Sequence, residues 1–185
     1  MELSRFVAWL AATEGSIALH ESLYMYPLVE SAHVIGIMLF AGTVAMVDLR
    51  LLGRVFTDTP VSEMTARILP WTVVGFAVMA VTGVLLFYAI PVRTYHSVWF
   101  RLKLVLLVAA AINICLSHRR AQRDRARWDR DRIPPRGARL SAAISLAVWA
   151  GVIVAGRMIA YDWADCGKPQ PAWITWLAQC PPGGG

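Results

Sequence analysis

Residues 27–53 carry the sequence PLVESAHVIGIMLFAGTVAMVDLRLLG, an apolar run that nevertheless contains Glu30, His33 and Asp48. A hydrocarbon core of about 30 Å is crossed by roughly 20 apolar residues, so this run is long enough to span a bilayer. Each ionisable side chain inside lipid costs on the order of 2.5 to 3.5 kcal/mol. The stretch therefore predicts a membrane-spanning helix whose polar face contacts protein, water or a cofactor.

The composition indicates a membrane protein. Hydrophobic residues make up 57% of the 185-residue chain, and charged residues make up only 16%. The net charge of +6 comes from the segment 118–139, which holds nine arginines and three aspartates. Arginines concentrated beside a span are typical of a cytoplasmic loop, so the charge argues against nucleic-acid binding.

Three further apolar runs predict an all-α, integral membrane four-helix bundle, preceded by an N-terminal amphipathic interfacial helix. The chain is expected to form a single membrane domain. Its predicted parts are the interfacial helix 3–20, the spans 27–52, 68–90, 98–117 and 140–161, and a tail 162–185 rich in tryptophan.

Two patterns predict the same orientation in a bacterial inner membrane. The arginine-rich loop 118–139 is expected in the cytoplasm, which puts both termini in the periplasm. Cys166 and Cys180 in the tail form a candidate disulfide, and disulfides persist in oxidising compartments such as the periplasm.

Depth, counted at 1.5 Å per residue, predicts two polar layers. Glu30, His33, Lys103 and Arg157 are expected roughly 5 to 9 Å below the outer surface, with His96 just above them. A second layer near the cytoplasmic face is expected to contain Asp48, Arg50, Asn113, His118 and Trp71.

The outer layer has two interpretations. In the first, Lys103 and Arg157 extend to the headgroups and one of them pairs with Glu30. In the second, His33 is a metal or haem ligand, and the two cations bind haem propionates or an anionic quinol or substrate. His33 and His118 differ in depth by about 20 Å, so they could serve two haems but not one. His96 or His20 could complete the outer site.

Copper is a third possibility, because methionines in the spans are available as soft ligands together with His33 and Cys115. The methionines are scattered through ordinary apolar positions, which is more typical of core packing. Patterns of hydrolases, kinases and nucleotide-binding proteins are absent from the sequence.

The motifs ESAHVIGIMLFAGTVAMVDLRLLG, LPWTVVGF, TGVLLF, the segment 113–118 and GRMIAYDW resemble a widespread group of small bacterial four-span membrane proteins of unknown function. More loosely, four spans with histidines near both faces are similar to b-type dihaem cytochromes and to bacterial copper-resistance membrane proteins. The resemblance to the cytochromes implies haem b and electron transport. Those cytochromes present paired histidines on facing helices, whereas the second and fourth spans here contain none.

The leading prediction is an inner-membrane redox protein, either a haem-b-like electron carrier or a quinol-interacting subunit. Its cofactor-binding residues would be His33, His118, His96, Lys103, Arg157 and Glu30, with His33 as the metal ligand. One alternative is a non-catalytic subunit or scaffold of a larger complex, and another is a transporter of copper or a small solute. Expected partners are the lipid bilayer and a membrane or periplasmic protein.

Overall fold

The computed structural model describes residues 2–161, Cys166 and residues 171–180, without the side chains at 120–126. Every regular element in these residues is a helix. The helices are α1 (Glu2–Ala11), α2 (Glu14–Glu21), α3 (Met25–Leu51), α4 (Val61–Ala89), α5 (Pro91–His96), α6 (Val98–Trp128), α7 (Arg136–Tyr161) and α8 (Ala172–Ala178).

Four of these helices are long and apolar enough to cross a bilayer: α3, α4, α7 and the Val98–Arg119 part of α6. The predicted fold class, an all-α membrane bundle, is confirmed. Many large apolar side chains on these helices point away from the bundle, among them Leu69, Val84 and Val105. Lipid tails are the solvent that such an apolar outer surface fits.

Helix α3 lies between α4 and α7, and α6 packs on the far side of α7. Two glycines allow α3 and α4 to approach closely. A Cβ atom at Gly36 would lie 2.9 Å from the Met79 nitrogen, and one at Gly75 would lie 2.7 Å from the Phe40 nitrogen. Backbones in membranes come this close only where the interface carries small residues.

The core of the bundle is an apolar layer halfway along the helices. Phe40 meets Trp149 edge to face with ring centroids 4.6 Å apart, and Ala110 and Val152 complete the cluster. Helices α3, α6 and α7 each contribute to this layer. It separates the polar residues at the two ends of the bundle.

The N-terminal segment departs from the prediction of one interfacial helix over 3–20, because it forms two helices. Thr13 caps α2 by accepting from the Ser16 nitrogen, and Thr side chains favour this position over a helix interior. The Thr13 hydroxyl also lies 2.8 Å from that of Tyr88, while Ser16 donates to the Tyr88 carbonyl at 2.7 Å. The break therefore docks α2 onto the end of α4.

The arginine-rich segment also differs from the prediction, because α6 continues to Trp128 instead of ending near residue 117. Residues 118–128 contain no glycine or proline, so nothing in their sequence stops the helix. The connection to α7 is limited to residues 129–135, where Pro134 and Pro135 lie. The predicted loop 118–139 is thus mostly helical.

The predicted disulfide between Cys166 and Cys180 is confirmed, with 5.3 Å between the two Cα atoms. It lies beside α8, at the end of the bundle where α4 and α7 finish, which we name the disulfide end. The opposite end, where α3 and α6 finish, is named the arginine-rich end. Most of the predicted tail, residues 162–165, 167–170 and 181–185, lies outside the described residues.

Candidate functional site

His33 lies half-buried on α3 toward the disulfide end and is fixed by Thr82 of α4. Its Nδ1 atom lies 2.9 Å from the Thr82 hydroxyl oxygen. Thr82 has one hydroxyl proton, which it donates to the Val78 carbonyl at 2.5 Å. When that proton is donated to the Val78 carbonyl, the Thr82 oxygen accepts from His33, and the Met79 backbone is a further hydrogen-bond partner of the ring. In this arrangement of the neutral ring, Nδ1 carries the proton and Nε2 carries the lone pair.

Lys103 of α6 lies close enough to His33 to act on it electrostatically. Glycines make room for both side chains. A Cβ at Gly83 would lie 3.2 Å from His33 Cε1, and a Cβ at Gly156 would lie 3.5 Å from Lys103 Nζ. Helices α3, α4, α6 and α7 therefore all contribute to this His33–Lys103 site.

The His33–Lys103 site combines an electron-pair donor with a cation. Among the described residues, no hydrogen-bond acceptor or carboxylate is bound to Lys103 Nζ, and no donor is bound to His33 Nε2. An imidazole oriented through its other ring nitrogen is the usual arrangement of a metal-ligating histidine. The same pair can accept a proton from a ligand hydroxyl and donate one to a ligand oxygen.

Glu30 and Arg157, predicted in the same layer, belong to other groups. Glu30 lies near Tyr26, as does Arg93 of α5. Arg157 donates to the Tyr161 hydroxyl at 2.5 Å and stacks over the same ring at 4.6 Å. In the described part of the chain, neither forms an ion pair that reaches the His33–Lys103 site.

His96 lies at the disulfide end but is bound to α8. Its Nδ1 is 2.8 Å from the Ala178 carbonyl, so in this contact Nδ1–H is the donor. Arg101 also donates to that carbonyl, at 3.4 Å. These bonds attach α8, and with it the disulfide, to the helices α5 and α6.

The remaining histidines do not approach His33. His118 is exposed on α6 at the arginine-rich end. His20, on α2, meets the Tyr26 ring edge-on with centroids 6.1 Å apart. The described residues therefore offer one oriented imidazole next to Lys103, and no second histidine joins it there.

No group of three or more His, Cys, Asp or Glu side chains that could hold a metal ion occurs among the described residues. Cys115, considered above with copper, is exposed on α6 in the half of that helix nearer the arginine-rich end. His33 and Cys115 thus lie toward opposite ends of the bundle.

At the arginine-rich end, Arg50 is fully buried and joins two connections. Its Nε donates to the Thr59 carbonyl at 2.8 Å, and its Nη2 donates to the Asp131 carbonyl at 3.0 Å. Asp129 accepts from the Ser62 backbone and side chain at 2.7 and 2.5 Å. Trp71, predicted in this layer, is instead exposed.

Asp48 and Asn113, which the sequence predicts in one layer, lie in a polar group completed by two serines of α7 that the sequence analysis did not include. Asp48 is buried, and Ser145 of α7 lies within hydrogen-bonding reach of it. One turn away, Ser141 donates to Asn113 Oδ1 at 2.9 Å, and Asn113 donates to the Ser141 carbonyl at 3.1 Å. The signal in the sequence was the spacing of the two serines, four residues apart in an apolar run.

Thr82 is the other residue that the sequence reading missed. It is the first residue of the otherwise apolar motif TGVLLF, directly before Gly83. A hydroxyl in a span usually bonds its own helix four residues back, so the sequence gives no reason to expect an interhelical partner. Only the packing of α4 against α3 brings it to His33.

Comparison with known proteins identifies the family but not an activity. A family of unknown function, DUF6644, matches residues 6–162. The chain belongs to this family. No curated protein and no solved structure matches the chain. A likeness to cytochromes is not among these findings, so membership in DUF6644 brings no established chemistry to the His33–Lys103 site.

Proposed function

We propose that this DUF6644 protein is a redox subunit of the bacterial inner membrane, a quinol-interacting protein or a haem-b-like electron carrier. The observation that carries the proposal is the Thr82 bond to His33 Nδ1, which leaves Nε2 as an electron-pair donor beside the ammonium of Lys103. A ligand with both a hydroxyl and an anionic or carbonyl oxygen matches this pair.

The quinol-interacting form has the stronger support. A quinol hydroxyl can donate to His33 Nε2, while Lys103 donates to a quinone oxygen. Both side chains are half-buried toward one end of the bundle, which suits a headgroup that enters from the lipid. Haem b, if bound, would supply reversible one-electron transfer, and His33 and Lys103 are the residues that would hold it, through the imidazole and through the charge of the ammonium.

The orientation belongs to the same proposal. We infer that the disulfide end faces the periplasm and the arginine-rich end faces the cytoplasm. The arginines cluster at one end, and the disulfide, which requires an oxidising compartment, lies at the other. The His33–Lys103 site would then lie in the periplasmic leaflet, with both termini on that side.

The first test is a reduced-minus-oxidised visible spectrum of the detergent-purified protein, followed by titration with a short-chain ubiquinone read by tryptophan fluorescence. A Soret band that His33→Ala removes and His118→Ala keeps would support the haem form. A flat spectrum with quinone quenching lost in His33→Ala would support the quinol form. If neither a band nor quenching occurs in the wild type, the redox proposal fails.

Thr82→Val sharpens the same test, because valine keeps the shape of threonine and removes the hydroxyl that orients the imidazole. Removing such an orienting partner typically weakens a site by about 10- to 100-fold. We expect Thr82→Val to raise the quinone Kd by that factor, and Thr72→Val, a matched hydroxyl that bonds only the Ile68 carbonyl, to leave it unchanged. Equal effects of the two variants would contradict an orienting role for Thr82.

A scaffold function is the second candidate, and α8 favours it. This helix is attached by the disulfide and by His96, yet Trp173 and Trp176 remain 62% and 79% exposed. Exposed tryptophans fit either the membrane interface or a partner protein. Co-purification of a stoichiometric partner that is retained in His33→Ala and lost in Trp176→Ala would favour this function over redox work.

A further inference from the structure

Asp48 is a carboxyl group inside a membrane-spanning helix, and no cation of the described residues forms an ion pair with it. It is 6% exposed and lies one turn before the end of α3. Its Oδ2 atom is buried, and within the described part of the chain no donor bonds to it. Ser145 of α7 is the polar side chain within reach.

No charged group described near the arginine-rich end forms an ion pair with Asp48. Arg50 donates to the Thr59 and Asp131 carbonyls through Nε and Nη2, and its buried Nη1 bonds to no other atom among the described residues. Among the described residues, two ion pairs lie near this end, Arg67 with Glu63 at the start of α4 and Arg132 with Asp58 between the two connections, and all four side chains are exposed. From α4 and α7, the long helices packed on α3, no described charge acts on Asp48.

An ionised carboxylate in this position would be a buried, uncompensated charge, which is the most unfavourable state for a polar group in a protein interior. A bound proton removes the charge and leaves a hydroxyl that needs only an acceptor. We propose that Asp48 is a reversible proton-binding site. The reaction is the transfer of one proton from hydronium to the Asp48 carboxylate, which forms an O–H bond and releases water.

Polar side chains continue from Asp48 toward the arginine-rich end. Ser145 and Ser141 lie one turn apart on the same face of α7, and Ser141 is bonded to Asn113 of α6. Ser117, one turn further along α6, donates to the Asn113 carbonyl at 2.6 Å and contacts the Ser141 hydroxyl. These hydroxyls and amide provide donors and acceptors on the way to the surface.

The opposite direction is closed by the apolar layer. Phe40 lies two turns from Asp48 on α3, Trp149 one turn from Ser145 on α7, and Ala110 one turn from Asn113 on α6. The site therefore exchanges its proton with one side of the membrane only. It is a one-sided proton-binding site and not part of a continuous path to the His33–Lys103 site.

The test is infrared spectroscopy of the reconstituted full-length protein between about pH 6 and pH 9, where solvent-exposed carboxyls are already ionised. We expect the carbonyl stretch of a protonated carboxylic acid in the wild type, lost in Asp48→Asn and kept in Glu30→Gln. Asp48→Glu retains the carboxyl and should shift the band without removing it. Ser145→Ala should also shift the band, because it removes the neighbouring hydroxyl.

Two results would overturn the proposal: a wild type without this band across the whole range, or an Asp48→Asn protein that keeps it. If Asp48→Asn fails to fold, the test uses the shift of the carbonyl band between the wild type and Asp48→Glu. The absence of such a shift would also overturn the proton-binding proposal. Quinone quenching should be unchanged in Asp48→Glu, so this proposal and the redox proposal succeed or fail separately.

The same proton gives a second readout in the pH dependence of stability. The folded protein would hold a proton on Asp48 that the unfolded chain, whose aspartates ionise near pH 4, releases. Stability should therefore fall as pH rises in the wild type, and the slope should be smaller by about one proton in Asp48→Asn. Equal slopes of melting temperature against pH in the two proteins would contradict proton binding.

Discussion

At the disulfide end, His33 Nε2 and Lys103 Nζ form no hydrogen bond within the described residues, whereas at the arginine-rich end Arg50 donates to two loop carbonyls through Nε and Nη2 and only its buried Nη1 is without a partner there. The difference extends to burial, because the first pair is half-buried and Arg50 is 0% exposed. A ligand requires donor and acceptor atoms that it can reach and that have no partner within the protein. Donors that bond to carbonyls inside the protein stabilise the fold instead.

Asp48 is the residue of the arginine-rich end that we propose binds a proton. It is as buried as its neighbours there, yet one of its oxygens lacks a partner among the described residues. A ligand as small as a proton can reach such an atom without an open pocket. Under the two proposals, the ends bind ligands of different size, a quinol headgroup at one and a proton at the other.

The largest effect on stability is expected from Arg50→Ala, which removes the hydrogen bonds that join the two connections at the arginine-rich end. The change leaves the Thr59 and Asp131 carbonyls without their donor and opens a cavity, so unfolding should become easier by about 3 to 5 kcal/mol. The measurement is the free energy of unfolding in detergent. Arg54→Ala, an exposed arginine just beyond α3, is the control and should change stability by less than about 0.5 kcal/mol. Similar losses in both variants would contradict the role given to Arg50.

An intermediate effect on stability is expected from Gly75→Ala, which forces α3 and α4 apart where they cross. Its new Cβ would lie 2.7 Å from the Phe40 nitrogen and 3.0 Å from the Phe40 Cα, which are backbone atoms that cannot move aside alone. We expect a loss of about 1 to 3 kcal/mol in the same measurement. Gly42→Ala on α3 meets nothing within 4 Å and should instead stabilise by about 0.5 to 1 kcal/mol. A stable Gly75→Ala protein would mean that α3 and α4 do not cross here.

The smallest effect on stability, below about 1 kcal/mol, is expected from Gly83→Ala at the disulfide end. The added methyl would lie 3.2 Å from His33 Cε1, a ring that can shift by a few tenths of an ångström. The shift should nevertheless weaken quinone binding on the order of tenfold, because it disturbs the ring that Thr82 orients. Unfolding and fluorescence titrations of the same sample separate the two effects. Unchanged binding in a Gly83→Ala protein would argue against His33 as the ligand residue.

The fold was predictable because its cause is local. Runs of about 20 apolar residues leave a chain in lipid no alternative to the helix, so four spans follow from hydropathy alone. The disulfide was predictable for a similar reason, since Cys166 and Cys180 share one short segment at one end of the bundle. The ends of helices were less predictable. Thr13 breaks the first helix in two, and α6 continues through the arginines, because neither event changes hydropathy.

The candidate site was predictable only in part. Depth counting put His33 and Lys103 in one layer, and the structure brings them near each other. The same count put Glu30 and Arg157 in that layer, but Glu30 lies near Tyr26, and Arg157 folds onto Tyr161. Depth along a helix follows from residue number, whereas the direction in which a side chain points depends on how the helix is rotated against its neighbours.

The sequence by itself determined a four-span helical membrane protein with ionisable residues near both ends of the bundle, because hydrophobicity and rise per residue are properties of the chain alone. The tertiary structure decided which of those residues meet. It paired His33 with Thr82, aimed Arg50 at two connections, and left Asp48 facing Ser145. These pairings depend on the rotation and spacing of α3, α4 and α7, which glycines such as Gly36 and Gly75 control through contacts distant in sequence.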